Sequence, residues 1–179
     1  QVPLIRILEQ PIAVAPDGHT CLLGAGGSGA LYLVDTDAPV DSGAAIASVG
    51  NNYSGVWISA SKVVIEAADG VFPASVPKLK VLDVSGPTVK TVVNKEGASA
   101  FIGLSGDGQT VYSVSGYGEN VGETVGFSVD SLINAFDTAT PLEWSDGDVL
   151  GAFYSSGCAG GYGDVLAFVG YQGIQYVDE

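Results

Sequence analysis

Four segments of this chain share one pattern, an alternating apolar strand that closes on aspartate: ALYLVD, KLKVLD, VGFSVD and GIQYVD. They end at Asp35, Asp83, Asp130 and Asp178, spaced by 48, 47 and 48 residues. A period of this size marks a repeat architecture, in which one supersecondary unit cannot bury its own apolar surface and must stack on its neighbours. The units run approximately over 1–37, 38–85, 86–132 and 133–179, and residues 1–179 read as a single domain.

Each unit holds four short strand signals separated by Gly, Asp, Asn and Ser. The first has Val2–Leu8, Ile12–Ala15, Thr20–Gly24 and Leu31–Val34, the second Ala45–Val49, Val56–Ser59, Val63–Ala67 and Leu79–Leu82. The third has Val89–Val93, Ala100–Leu104, Thr110–Ser115 and Thr124–Val129, the fourth Thr140–Trp144, Leu150–Tyr154, Val165–Val169 and Gly173–Val177. Between the second and third strands stand APDGHT (Ala15–Thr20) and SGDGQT (Ser105–Thr110). Asp-Gly suits such a turn because Gly tolerates positive φ and Asp bonds its local backbone. Unit two shortens this turn to Ala60–Lys62, and unit four replaces it with a longer Gly-rich stretch, Ser155–Asp164. Val129–Ala139 is the nearest approach to a helix, and its Ser, Asp and Asn content predicts one or two turns.

Pro16-Asp17-Gly18-His19-Thr20 with Leu33-Val34-Asp35-Thr36, and Gly106-Asp107-Gly108-Gln109-Thr110 with Ser128-Val129-Asp130-Ser131, resemble the repeats of YVTN-type and related WD-like β-propellers. The resemblance implies an all-β β-propeller of four four-stranded blades stacked around an axis. Such a chain either closes as a four-bladed ring, the arrangement favoured here, or forms half of a larger ring completed by a second copy or another chain. An unclosed stack leaves apolar faces and strand edges exposed.

Charge narrows the partners. The net charge is −14, all six basic residues precede position 96, and the 12 acids from Glu96 onward face no Lys or Arg. Nucleic acid, which needs basic side chains against phosphates, is therefore excluded as a partner. The sequence contains no apolar run long enough for a membrane-spanning helix. The absence of Met, with Gln at position 1, points to a processed product or a fragment, and removal of a secretory signal, the simplest of these, makes an extracellular or periplasmic setting the expectation.

The residues that could carry function are few. In Cys21 and Cys158, units one and four would each supply a half-cystine, and a disulfide between them would staple the ends of a closed ring, stabilising it by about 2–5 kcal/mol. The competing reading of Cys21 is a buried thiol in the apolar run CLLG. Asp35, Asp37 and Asp41 place three carboxylates in one loop that could offer oxygens to Ca²⁺, although Pro39 breaks the spacing. Asp146 and Asp148, with Glu143, form a second acidic cluster, and the ordinary role of all these acids is turn chemistry. His19 is the single histidine and sits in a turn with no nucleophile elbow in the chain. No cofactor is implied beyond a possible calcium ion. Tyr117, Tyr162 and Tyr171 stand at Gly-rich loops and Trp144 beside acids, positions that suit protein or carbohydrate contact.

The expected function is a non-enzymatic extracellular module that binds protein or carbohydrate, or plays a structural part, through Gly- and Tyr-rich loops. Two alternatives stand beside it, the first implied by the propeller resemblance and the second compatible with the low charge per residue and the many small side chains. One is a lactonase-like or metal-assisted hydrolase with an acidic axial site. The other is a self-assembling component of a filament, surface layer or virion.

Overall fold

The computed structural model describes residues 10–25, 29–37, 44–70, 77–94, 101–114, 123–152, 155–162, 165–170 and 173–178, with side chains up to 150 other than Tyr53 and Phe101. The expected strand Val2–Leu8 lies outside these residues. Four mainly antiparallel sheets follow one another along the chain. The first contains β1 (Gln10–Val14), β2 (Thr20–Ala25), β3 (Ala30–Asp35) and β4 (Ala47–Ser48). The second contains β5 (Asn52–Trp57), β6 (Lys62–Ala68), β7 (Pro77–Asp83) and β8 (Thr88–Asn94). The third is built from β9 (Phe101–Leu104), β10 (Thr110–Val114), β11 (Glu123–Ser128) and, beyond an insertion, β13 (Asp148–Ala152). The fourth is a three-stranded sheet of β14 (Ser155–Tyr162), β15 (Val165–Gly170) and β16 (Gly173–Asp178).

The boundaries of the sheets are not those of the sequence repeat. β4 comes from the start of unit two yet completes the first sheet on β3, and β8 of unit three completes the second sheet on β7. Each of these sheets therefore joins the last three strands of one unit to the first strand of the next.

The third unit is also shifted in register. Equivalent positions, those facing the first residue of the strand after the hairpin turn, are Asp35 opposite Thr20, Asp83 opposite Lys62, Ser128 opposite Thr110 and Asp178 opposite Val165. The true counterpart of Asp35 in unit three is thus Ser128, not Asp130. β11 ends at Ser128, whose hydroxyl accepts from the Ser131 backbone N–H and so caps a helix, α1 (Val129–Thr138). Asp130 lies in the first turn of that helix, where its charge complements the helix dipole.

α1 is longer than the one or two turns expected. Its apolar residues Val129, Leu132, Ala135 and Phe136 all turn inward, and that burial outweighs the modest helix propensity of Ser, Asp and Asn. It ends on Ala139 in the left-handed region, with φ 55°. The chain then adds β12 (Leu142–Glu143) to the outer edge of the second sheet, parallel to Val93–Asn94 of β8. The Asn94 side chain donates to the Glu143 carboxylate at 3.0 Å. A single 3-10 turn, Trp144–Asp146, leads back to β13 in the third sheet. The insertion therefore straps the second and third sheets together.

Among the described residues two apolar cores lie between the sheets. β6 has buried residues on both faces: Val63, Ile65 and Ala67 pack toward the first sheet with Ile12, Leu22, Leu31 and Trp57. Val64 faces the third sheet with Leu79, Val81, Ile102, Val111, Val125, Phe127 and the inner side of α1. A strand covered on both faces needs a nearly continuous apolar run, and KVVIEAA supplies it. Each fully buried Leu or Ile contributes roughly 1.5–3 kcal/mol. At the inner ends of the sheets, β1 lies against β5, β5 against β9, and β9 against β14. Among the described residues no comparable packing joins β14 to β1.

Candidate functional site

The acidic side chains that the sequence offers as candidates are first of all turn-formers. In the β1–β2 turn Gly18 adopts φ 75°, and one oxygen of Asp17 accepts from the backbone N–H groups of His19 and Thr20, each at 2.8 Å. Its other oxygen accepts from the Thr20 hydroxyl. The Thr20 N–H, the Thr20 hydroxyl and the His19 N–H hold the Asp17 carboxyl below its ordinary pKa. The β9–β10 turn repeats the arrangement, with Gly108 at φ 75° and Asp107 accepting from the Ser105 hydroxyl and the Gln109 N–H. Those two bonds, the hydroxyl first, lower the Asp107 pKa. In the shortened turn of unit two the Ser59 hydroxyl takes over, accepting from the N–H groups of Ser61 and Lys62.

The strand-closing aspartates serve the following turn in the same way. Asp35 accepts from the Asp37 N–H at 2.9 Å. Asp83 accepts from the Ser85 hydroxyl and N–H and pairs with Lys62 at 3.1 Å, which together hold its pKa at about 2. Asp37 pairs with His19 at 2.6 Å, both side chains well exposed, tying the β1–β2 turn to the end of β3. Of the three loop carboxylates, Asp35 and Asp37 thus sit in one exposed turn, and Asp41 lies outside the described residues. Among the described residues no group of three or more His, Cys, Asp or Glu side chains converges.

The aromatic candidates divide. Tyr117 and Tyr171 lie outside the described residues, and Tyr162 ends β14 opposite Val165 at the β14–β15 connection. That places Tyr162 at a hairpin end, and the Gly-rich stretch expected to be a turn is itself mostly strand β14. Trp144, expected at a contact surface, is buried: its ring packs 5.8 Å from that of Phe127, and its indole N–H donates to Glu123 at 2.7 Å. The 3-10 turn after β12 swings the ring into the core beneath α1.

The Cys21–Cys158 bridge expected of a closed ring is not formed. Cys21 is a buried free thiol whose Sγ–H points to the Leu22 carbonyl, and burial raises its pKa. Cys158 lies on β14, which among the described residues packs on β9. A disulfide needs Cα atoms within roughly 7 Å, which only a meeting of the first and fourth sheets would provide.

Three features had no clear signal in the sequence. Asp69 holds two lysines of β7, Lys80 at 2.5 Å and Lys78 at 3.1 Å, and Lys80 first among them depresses its pKa. Lys62 and Lys90 both stand over the Phe136 ring of α1, at 5.4 and 4.7 Å, and Lys90 donates to the Phe136 carbonyl. The described basic side chains are therefore spent within the second sheet and on its helix. Asn52, at the start of β5, is 1% exposed, and neither atom of its amide has a hydrogen-bond partner. It lies so close over Gly24 that a Cβ there would come within 2.1 Å of its oxygen, which explains glycine at that position.

No family model matches the chain, and no curated protein matches it in sequence. Solved structures do match, and they are β-propellers, so the chain has the β-propeller fold. Hydrazine synthase of Kuenenia stuttgartiensis superposes with a TM-score of 0.66 at 13% identity, covering 93% of this chain and 57% of the other. A gluconolactonase of Xanthomonas campestris gives 0.61 at 14%, with 95% and 58% covered. The Cps50 (Swd1) β-propeller domain of Myceliophteria thermophila gives 0.55 at 13%, with 96% and 55% covered. The chain thus spans little more than half the length of these propellers. No helix among the described residues is long and apolar enough to cross a membrane.

Proposed function

We propose that this chain is a non-enzymatic, extracytoplasmic binding or structural module, supplying four blades of a larger propeller ring that a second copy or another chain completes. The observation that carries this reading is the open order, among the described residues, of the inner strands β1, β5, β9 and β14. Its partial coverage of longer propellers supports the same arrangement, because an arc of blades superposes on part of a ring. Recognition of protein or carbohydrate would fall to the Gly- and Tyr-rich connections carrying Tyr117, Tyr162 and Tyr171. The carboxylates Asp17, Asp35, Asp83 and Asp107 are engaged in turns, which favours a binding module over an acid–base catalyst.

Native mass spectrometry tests the ring. A species of twice the 18.1 kDa chain mass is expected where a second copy completes the ring. A monomer whose Cys21 becomes disulfide-bonded to Cys158 in air would overturn the open arrangement.

The likeness to a gluconolactonase keeps a second reading, a lactonase-like or calcium-assisted hydrolase. Release of acid from a sugar lactone, accelerated by added Ca²⁺ and abolished by chelation, would establish it in place of the first.

A further inference from the structure

The outer rims of the second and third sheets differ in one respect. On the second sheet, β8 is covered by β12, an extended segment of the chain itself. On the third, β13 is the last strand, and among the described residues nothing pairs with its outer edge. A free edge presents backbone N–H and C=O groups ready to pair with another strand. Here it also carries exposed apolar side chains: Val149 is 61% and Leu150 37% exposed. Leu150 is the extra residue of a bulge between Val149, opposite Val125, and Gly151, opposite Thr124, which turns it away from the regular pleat.

The surroundings carry one sign of charge. Asp148 is exposed on this strand and Asp146 just before it in sequence, and the insertion that precedes them exposes Asp130, Asp137 and Glu143. No Lys or Arg occurs anywhere from Glu96 onward. The described lysines are drawn to Asp69, Asp83 and the Phe136 ring on the second sheet and α1.

We infer that the outer edge of β13 is a docking site for an extended peptide in which Lys or Arg alternates with apolar residues. Such a segment adds a strand to the third sheet, as β12 adds one to the second. Backbone hydrogen bonds supply affinity, Val149 and Leu150 supply apolar contact, and the acids set the sign of the partner. The site lies at the opposite end of its sheet from β9, so it is independent of how the ring is completed.

The test is fluorescence anisotropy with a labelled, end-blocked Lys-Val-Lys-Val-Lys-Val peptide. Saturable binding is expected, at least tenfold weaker for the Glu-Val counterpart and at least tenfold weaker when alternate backbone nitrogens of the Lys-Val peptide are methylated. Val149→Lys, a change at an exposed side chain, should weaken binding by a similar factor. Val14→Lys adds the same charge at a residue 59% exposed on the first sheet and should leave binding within twofold. Equal binding of the methylated peptide, or equal losses from the two Lys variants, would mean general charge attraction and overturn the strand-addition site, as would no binding at all.

Discussion

The two junctions around the second sheet are built differently. Toward the third sheet, large apolar residues pack under a helix, and a strap of chain, α1 to β12, leaves one sheet, pairs with the other and returns. Toward the first sheet, no such strap is seen among the described residues, and Ala13, Ala15 and Ala67 allow close approach around Ile12, Leu22 and Leu31. That junction also contains Asn52, whose amide is buried without a partner, and the unpaired indole N–H of Trp57. Burying such groups costs about 1–3 kcal/mol each. A junction with a strap resists separation because its two sides are tethered and cemented at once. A junction without a strap gives way first.

The largest expected effects compare the two directly. Leu132→Ala, in the strapped core, and Leu22→Ala, in the other, each remove a fully buried side chain and should cost about 2–5 kcal/mol. In a denaturant titration Leu132→Ala should shift the main transition as a whole. Leu22→Ala should split off an early transition belonging to the first sheet, and a single shared transition for both would erase the distinction. Next, Asn52→Leu replaces the unpartnered amide by an apolar group of similar size and should raise stability by about 1 kcal/mol. A loss of stability would show that the amide has a partner in solution, such as a buried water.

Smaller effects probe the strap and its anchor. Ala139 ends α1 at φ 55°, a region where only glycine is unstrained, so Ala139→Gly should stabilise by about 0.5–1 kcal/mol in thermal melts. The smallest concerns Asp83, which anchors Lys62 under Phe136. Its folded pKa, about 2, lies below the ordinary carboxyl value of 3.8, so its contribution is present above about pH 4 and fades as pH falls through 2. Asp83→Asn should therefore lower the melting temperature at pH 5 and make no difference near pH 2.

Much of this fold was legible because period-two apolar strands and Asp-Gly turns are local signals. The segments around Asp17 and Asp107 form the hairpins their residues dictate. What misled was chemistry that depends on distant packing. Ser-Val-Asp at 128–130 matches the repeat by eye, yet its Ser caps a helix whose burial the sequence does not advertise. Ser155–Tyr162 has few β-branched residues and reads as a turn, but strand pairing with β15 makes it β14. Trp144 stands among acids in sequence and under α1 in space. Of the candidate site, the engagement of Asp35 in its turn was foreseeable from Asx-turn chemistry. The lysine pairing at Asp69 and the free edge of β13 were not, because both arise from strands brought together across the fold.

The mismatch between repeat and sheet has a consequence for biosynthesis. A ribosome that has released the first repeat has not yet delivered Ala47–Ser48, the strand that finishes the first sheet. The third sheet waits longer still, until the whole helix and Asp148–Ala152 have emerged. Like overlapping roof tiles, each layer is secured by the next one laid. Truncating a nascent chain at a repeat boundary should therefore always leave one unfinished layer, whereas a cut just past Ser48 leaves the first sheet complete and one just past Asn94 leaves the second lacking only the short β12.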